Sequence, residues 1–179
     1  MTASQIRVGR TGLPVSKLPP SDPRWPGELS HCLHSKAPPQ LWAIGAMEIL
    51  EARKVGSVRC PGDAILDAYD SARKLRDEGV TCVSGFHSPV EKECLRILLR
   101  GKQPVIVCLA RAFGKIPLPS DWRRALESGR LFLLSPFEKP PPRPDKSSTA
   151  YRTNWLPHFP TMFSLFMQHP EEKSRGFLG

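Results

Sequence analysis

Hydrophobic positions fall into short continuous runs separated by amphipathic stretches, and the alternation is regular between residues 55 and 134. Residues 55–59 predict a first strand, followed by the loop Cys60-Pro61-Gly62-Asp63. Ile65, Leu66, Ala68, Tyr69, Ala72 and Leu75 then recur at helical spacing, and this helix runs to about Glu78, where Gly79 stops it. Residues 80–84 predict a second strand, Gly85-Phe86-His87 a loop, and residues 89–100 a second helix ended by Gly101. Ser88, Pro89 and Glu91 together read as a capping box with proline at the first helical position. The third unit has a strand at 104–110, a loop reaching Pro119 and a short helix opened by Ser120-Asp121. Gly129 leads into a further strand at 130–134. Upstream, residues 40–44 predict a short strand and 45–53 a short helix.

Strands that alternate with helices imply βαβ units and a mostly parallel sheet. Continuously apolar strands fit a sheet covered on both faces. Right-handed crossovers then place a ligand crevice at the carboxyl ends of the strands.

Outside this core the pattern fails. The first forty residues are Pro-rich, and Ser21-Asp22-Pro23-Arg24-Trp25-Pro26 reads as a turn with an aromatic anchor. Residues 138–146 carry Pro140, Pro141, Pro142 and Pro144, which forbid regular helix or central strand. The organisation expected is a flexible N-terminus at 1–20, one α/β domain at 21–137, and a Pro-rich linker with an irregular tail at 138–179.

Composition sharpens this picture. Of 179 residues 40% are hydrophobic, which suits a packed domain and excludes a wholly disordered chain. Lys and Arg number 26 against 17 Asp and Glu, and the formal charge of +9 favours polyanionic partners such as nucleic acid, nucleotides or anionic lipid. The longest clean apolar run, 105–110, is far too short to span a membrane. Residues 1–17 lack the apolar core of a secretory signal. A soluble, cytoplasmic protein without a membrane partner is expected. Cys32, Cys60, Cys82, Cys94 and Cys108 form no C-x-x-C pair, so buried small hydrophobes are expected rather than disulfides or a zinc site, and no cofactor is implied.

The candidate chemistry lies in the loops at the strand ends. These carry Ser57, Arg59 and Gly62 after the first strand, Ser84, Gly85, His87 and Ser88 after the second, and Arg111 after the third. Two helix N-termini face this crevice, and their free N–H groups suit a phosphate or nucleotide. The plain alternative is that these residues only cap helices and permit turns, since neither a G-x-G-x-x-G nor a P-loop pattern is present. His87 with Glu91 is a candidate acid/base pair, although Glu91 is most simply the capping-box carboxylate. Arg96, Arg100 and Lys102, and separately Arg123, Arg124 and Arg130, are candidate phosphate contacts or solvated faces. Trp42, Trp122 and Phe113 are candidates for base stacking, with core packing as the alternative.

Several segments, taken in order, resemble the DNA-processing protein A (Smf/DprA) family. They are Pro39-Gln40-Leu41-Trp42-Ala43-Ile44-Gly45, then Val58-Arg59-Cys60-Pro61-Gly62, then Val80-Thr81-Cys82-Val83-Ser84-Gly85. The resemblance continues through 104–126 and the Gly-then-Leu-Leu-Ser stretch at 129–135, and it is strongest to short relatives with Gly-Phe-His-Ser-Pro before the second helix. It implies a Rossmann-like three-layer α/β domain of the SLOG superfamily that binds single-stranded nucleic acid or a nucleotide in DNA processing and recombination. Members of that family are not established enzymes. Ser84 and Gly85 match the start of its Ser-Gly-x-Ala-Arg-Gly-Ile-Asp motif, and Glu91 falls near the Asp. The family's arginine falls at Ser88 and its second glycine at Pro89, which removes a phosphate-contacting charge. A nucleotide-processing enzyme is the competing expectation, but the Pro-Gly-Gly-x-Gly-Thr motif of the phosphoribohydrolase relatives is missing.

The resemblance ends near Arg152. Reading the third base of each codon with the first two of the next, with permitted codon choices, turns residues 152–177 into a helix, an Asp-Asp turn and a buried strand in the family's order. Met162 into Phe163 must then give Val, and Met167 into Gln168 must give Ala. A frameshifted tail is therefore expected. It would deprive the sheet of a strand, favour a homo-oligomer, and in the extreme leave a non-functional product.

Overall fold

The structure is a computed structural model that describes residues 12–25, 38–51, 54–56, 65–109, 111–113 and 118–138. Four parallel strands form its centre: β3 (Lys54–Gly56), β4 (Thr81–Ser84), β5 (Val105–Cys108) and β6 (Leu131–Ser135), each hydrogen-bonded to the next. Two short strands, β1 (Ser16–Leu18) and β2 (Leu41–Ile44), extend the sheet antiparallel beyond β6, giving the order β1-β2-β6-β5-β4-β3. The mostly parallel α/β architecture expected from the sequence is therefore present. Helix α1 spans Ile65–Asp77, α2 spans Pro89–Leu98 and α3 spans Ser120–Glu127.

Because β3 to β6 follow one another in a single direction across the sheet, right-handed crossovers put all three helices on one face. The packing agrees. Ala68 and Ala72 of α1, Cys94, Leu95 and Leu98 of α2, and Ala125 and Leu126 of α3 bury against Cys82, Val105, Val107, Leu131 and Leu133. Alternate strand residues point the other way: Val83, Ile106, Cys108, Phe132 and Leu134 join Leu18, Leu41 and Ala43. Among the described residues that second face carries Trp25 and the 3-10 turn Met47–Glu51. Ile106, Phe132, Leu133 and Leu134 are fully buried. Each contributes about 1.5–3 kcal/mol of burial free energy, so the central strands dominate the core. Burial also pushes the Cys82 thiol up to about 12 and raises that of Cys108 further, which keeps both as inert hydrophobes.

Several details differ from the sequence pattern. Residues 16–18 belong to the sheet although they fall in the stretch expected to be flexible; three residues are too few to show an alternation. Ile65 and Leu66 are exposed, Leu66 to 76%, because the buried stripe of α1 is set by Ala68 and Ala72, with Tyr69 and Leu75 at its edge. Gly79 does end α1, at φ +69°, and the Val80 N–H returns to the Leu75 carbonyl at 3.0 Å. Gly101 follows the end of α2 without a left-handed φ: its N–H donates to the Leu98 carbonyl at 2.9 Å, and a Cβ there would meet the side chains of Gln103 and Arg76. Helix α3 starts at Pro119 without a side-chain cap, and Asp121 accepts the N–H of Trp122. Beyond Glu138 the Pro-rich linker and the tail, including the shifted-frame segment, lie outside the described residues.

Candidate functional site

Parallel strands end together, so the loops after β4, β5 and β6 share one edge of the sheet. Ser84 closes β4 and is buried, as is Gly85. The loop expected here turns through a left-handed residue that the sequence did not announce. Phe86 sits at φ +47°, a left-handed conformation that a bulky residue adopts at a cost of about 1–2 kcal/mol. Its ring is 3% exposed and packs in the helix-face core, and that burial offsets the cost. The consequence is a fixed loop: Phe86 points inward, while His87 and Ser88 stand exposed at the sheet edge.

Helix α2 begins with a complete capping box. Ser88 Oγ accepts the Glu91 N–H at 3.2 Å, and Glu91 Oε2 accepts the Ser88 N–H at 3.0 Å. The same carboxylate oxygen also accepts the His87 N–H at 2.7 Å. The entry of α2 is therefore not an open set of donors. The Glu91 carboxylate already takes the N–H groups of His87 and Ser88. Glu91 meets the backbone of His87, so the carboxylate is committed to the cap rather than to an acid/base pair with the imidazole.

After β5, Arg111 is exposed and has no carboxylate partner among the described residues. Its backbone is fixed by Ser135 at the end of β6, whose hydroxyl donates to the Arg111 carbonyl at 2.8 Å and accepts the Phe137 N–H at 3.1 Å. Ser135 was not among the sequence candidates. Its only signal was a polar residue closing an apolar strand. Ser84, Gly85, His87, Ser88 and Arg111 thus share one edge of the sheet, whereas Ser57, Arg59 and Gly62 lie outside the described residues.

The other candidates divide by packing. Arg130 points at the opposite end of the sheet, where Nη1 donates to the carbonyls of Leu99 (3.2 Å) and Gly101, and Nε donates to Ser128 Oγ at 3.2 Å. It closes the C-terminus of α2 and is not available to a phosphate at the crevice. Arg96 pairs with Glu93 at 3.0 Å. Arg123 and Arg124 are exposed on α3. Phe113 is a core residue, and Trp42 and Trp122 pack against the same cluster, with Lys17 over the Trp42 ring at 5.9 Å. None of the three rings stands free as a stacking platform.

One-directional βαβ winding with an antiparallel extension, and exposed polar loops along the carboxyl edge, define a Rossmann-like α/β domain. Residues 17–146 match the family model of the DNA recombination-mediator protein A, and the chain belongs to that family. No curated protein matches it. Two solved structures are similar in fold. One is DNA processing protein A (DprA) of Streptococcus pneumoniae, 18% identical with a TM-score of 0.60, covering 82% of this chain and 51% of that one. The other is DNA processing protein A of Helicobacter pylori, described for its single-stranded DNA binding mode, 18% identical with a TM-score of 0.58, covering 81% of this chain and 65% of that one. The chain thus matches about half to two thirds of the length of those proteins. Among the described residues no helix is long and apolar enough to cross a membrane.

Proposed function

We propose that this protein binds single-stranded nucleic acid along the carboxyl edge of its sheet and serves in DNA processing or recombination. The observation that carries the reading is membership of the recombination-mediator family over residues 17–146. The net charge of +9 supports it, as do the exposed His87 and Arg111 on adjacent strand-end loops. Ser84, Gly85, His87, Ser88 and Arg111, with Ser57, Arg59 and Gly62, form the proposed ligand edge, on a folded unit at 21–137 extended by β1. Action in the cytoplasm and self-association are part of the same proposal. The test is titration of a short unphosphorylated single-stranded oligonucleotide at low and moderate salt. Affinity should be micromolar or weaker and fall steeply as salt rises. Binding that ignores salt, or no binding at low salt, refutes it.

A further inference from the structure

We infer that Ser135 is a positioning residue: its hydroxyl sets where Arg111 stands, and the contact that Arg111 makes with a bound strand depends on it. The inference rests on the nucleic-acid reading above and adds a residue that itself touches no ligand. Ser135 closes a strand that is otherwise apolar, Leu131 to Leu134, and it is fully buried. A buried hydroxyl is costly unless its donor and acceptor are both met. Here both are met, and both partners lie on loops at the carboxyl edge. Oγ donates to the Arg111 carbonyl at 2.8 Å and accepts the Phe137 N–H at 3.1 Å.

Backbone pairing between β5 and β6 reaches the Leu109 N–H, which donates to the Leu134 carbonyl at 2.8 Å. Just beyond, a side chain takes over the task of the ladder and holds the Arg111 carbonyl. Ser135 is a firm anchor, because its neighbour on the other side of the sheet is Trp42 of β2. Ala112 and Phe113 are buried directly after Arg111, so the exposed Arg111 side chain leaves a backbone fixed from two sides. A cation on a fixed backbone meets a phosphate at a lower ordering cost than one on a free loop.

The experiment compares the full wild-type chain with Ser135→Ala, Ser135→Thr, Arg111→Ala and the Ser135→Ala, Arg111→Ala double variant, at a temperature where each is folded. Ser135→Cys, whose thiol is a poor donor, substitutes if the Ala variant does not melt cooperatively. An unphosphorylated thymidine oligonucleotide is titrated at low salt, and NMR relaxation follows the Arg111 and Phe137 amides. Ser135→Ala should loosen both amides and weaken binding about threefold. Arg111→Ala should weaken it about fivefold, and adding Ser135→Ala to that variant should cost nothing more. Ser135→Thr keeps the hydroxyl and should bind as the wild type does, even where its extra methyl lowers the melting temperature. A hydroxyl that served folding alone would lower affinity by the same factor with or without Arg111, or not at all, and either result overturns the assignment. So does an Arg111 amide that is no more mobile in Ser135→Ala. If Ser135→Ala loosens Arg111 but Arg111→Ala leaves oligonucleotide affinity unchanged, the strand contact at Arg111 falls with the nucleic-acid reading of this edge, and the positioning of Arg111 by Ser135 stands.

Discussion

Arg130 separates structural cations from ligand contacts, and replacing it by Met gives a quantitative test. The sequence groups it with Arg123 and Arg124, yet its guanidinium caps the α2 terminus through the Leu99 and Gly101 carbonyls and reaches Ser128 Oγ. A hydrogen bond from a charged donor is worth about 1.5–3 kcal/mol where solvent is excluded. A cation at a helix C-terminus adds about 0.3–1 kcal/mol. Arg130 is partly exposed, so the lower ends apply, and Met retains the packing of the aliphatic stem. The expected loss is about 2 kcal/mol, read from the urea midpoint at unchanged slope. Arg130→Lys, which keeps the charge but not the forked geometry, should lose about half of that. Oligonucleotide affinity and its salt slope should not change. Stability within about 0.5 kcal/mol of wild type, together with a salt slope reduced by about one, would show that Arg130 contacts phosphate instead.

Other outcomes follow from single contacts. Gly45 sits at φ +119° with a would-be Cβ 2.6 Å from the Leu131 carbonyl oxygen, so Gly45→Ala should lower the melting temperature by several degrees, about 2 kcal/mol or more. The forked hydrogen bonds and charge of Arg24 hold the Asp22 carboxyl below the usual carboxylate range. A lowered native value contributes stability above the unfolded pKa and loses it as pH falls through the native one, so Asp22→Asn should cost under about 1 kcal/mol at pH 7 and nothing in strong acid. A cost that persists unchanged in acid would refute the ion-pair account. Restoring the alternative reading frame near Arg152 should raise the melting temperature and reduce self-association, and unchanged values in both would refute a frameshift.

The regular part of the fold was legible because its signals are local and repeated. The three strand–loop–helix units, the capping box at Ser88 and the stop at Gly79 all follow from spacing and turn chemistry. What escaped depends on contacts between distant segments. Strand β1 exists because Ser16–Leu18 pairs with β2, which no three-residue pattern can announce. Leu66 matched the helical period yet faces solvent, because period fixes a stripe and not its width. The role of Arg130 required knowing that residues 99–101 lie beside it. At the candidate edge, residue types were readable, but their availability was not. The Ser88–Glu91 cap was readable, but not that the turn at Phe86 adds the His87 N–H to the same Glu91 carboxylate oxygen.

The most direct measurement is photocrosslinking of a short single-stranded oligonucleotide to the full chain, with the attachment sites mapped by peptide mass spectrometry. Attachment is expected in the loops after β4 and β5, at 84–88 and around Arg111, and it should weaken as salt rises. Arg111→Ala should reduce crosslinking while Arg130→Met should not. Attachment confined to the α3 face at Arg123 and Arg124, with the strand-end loops unlabelled, would contradict it.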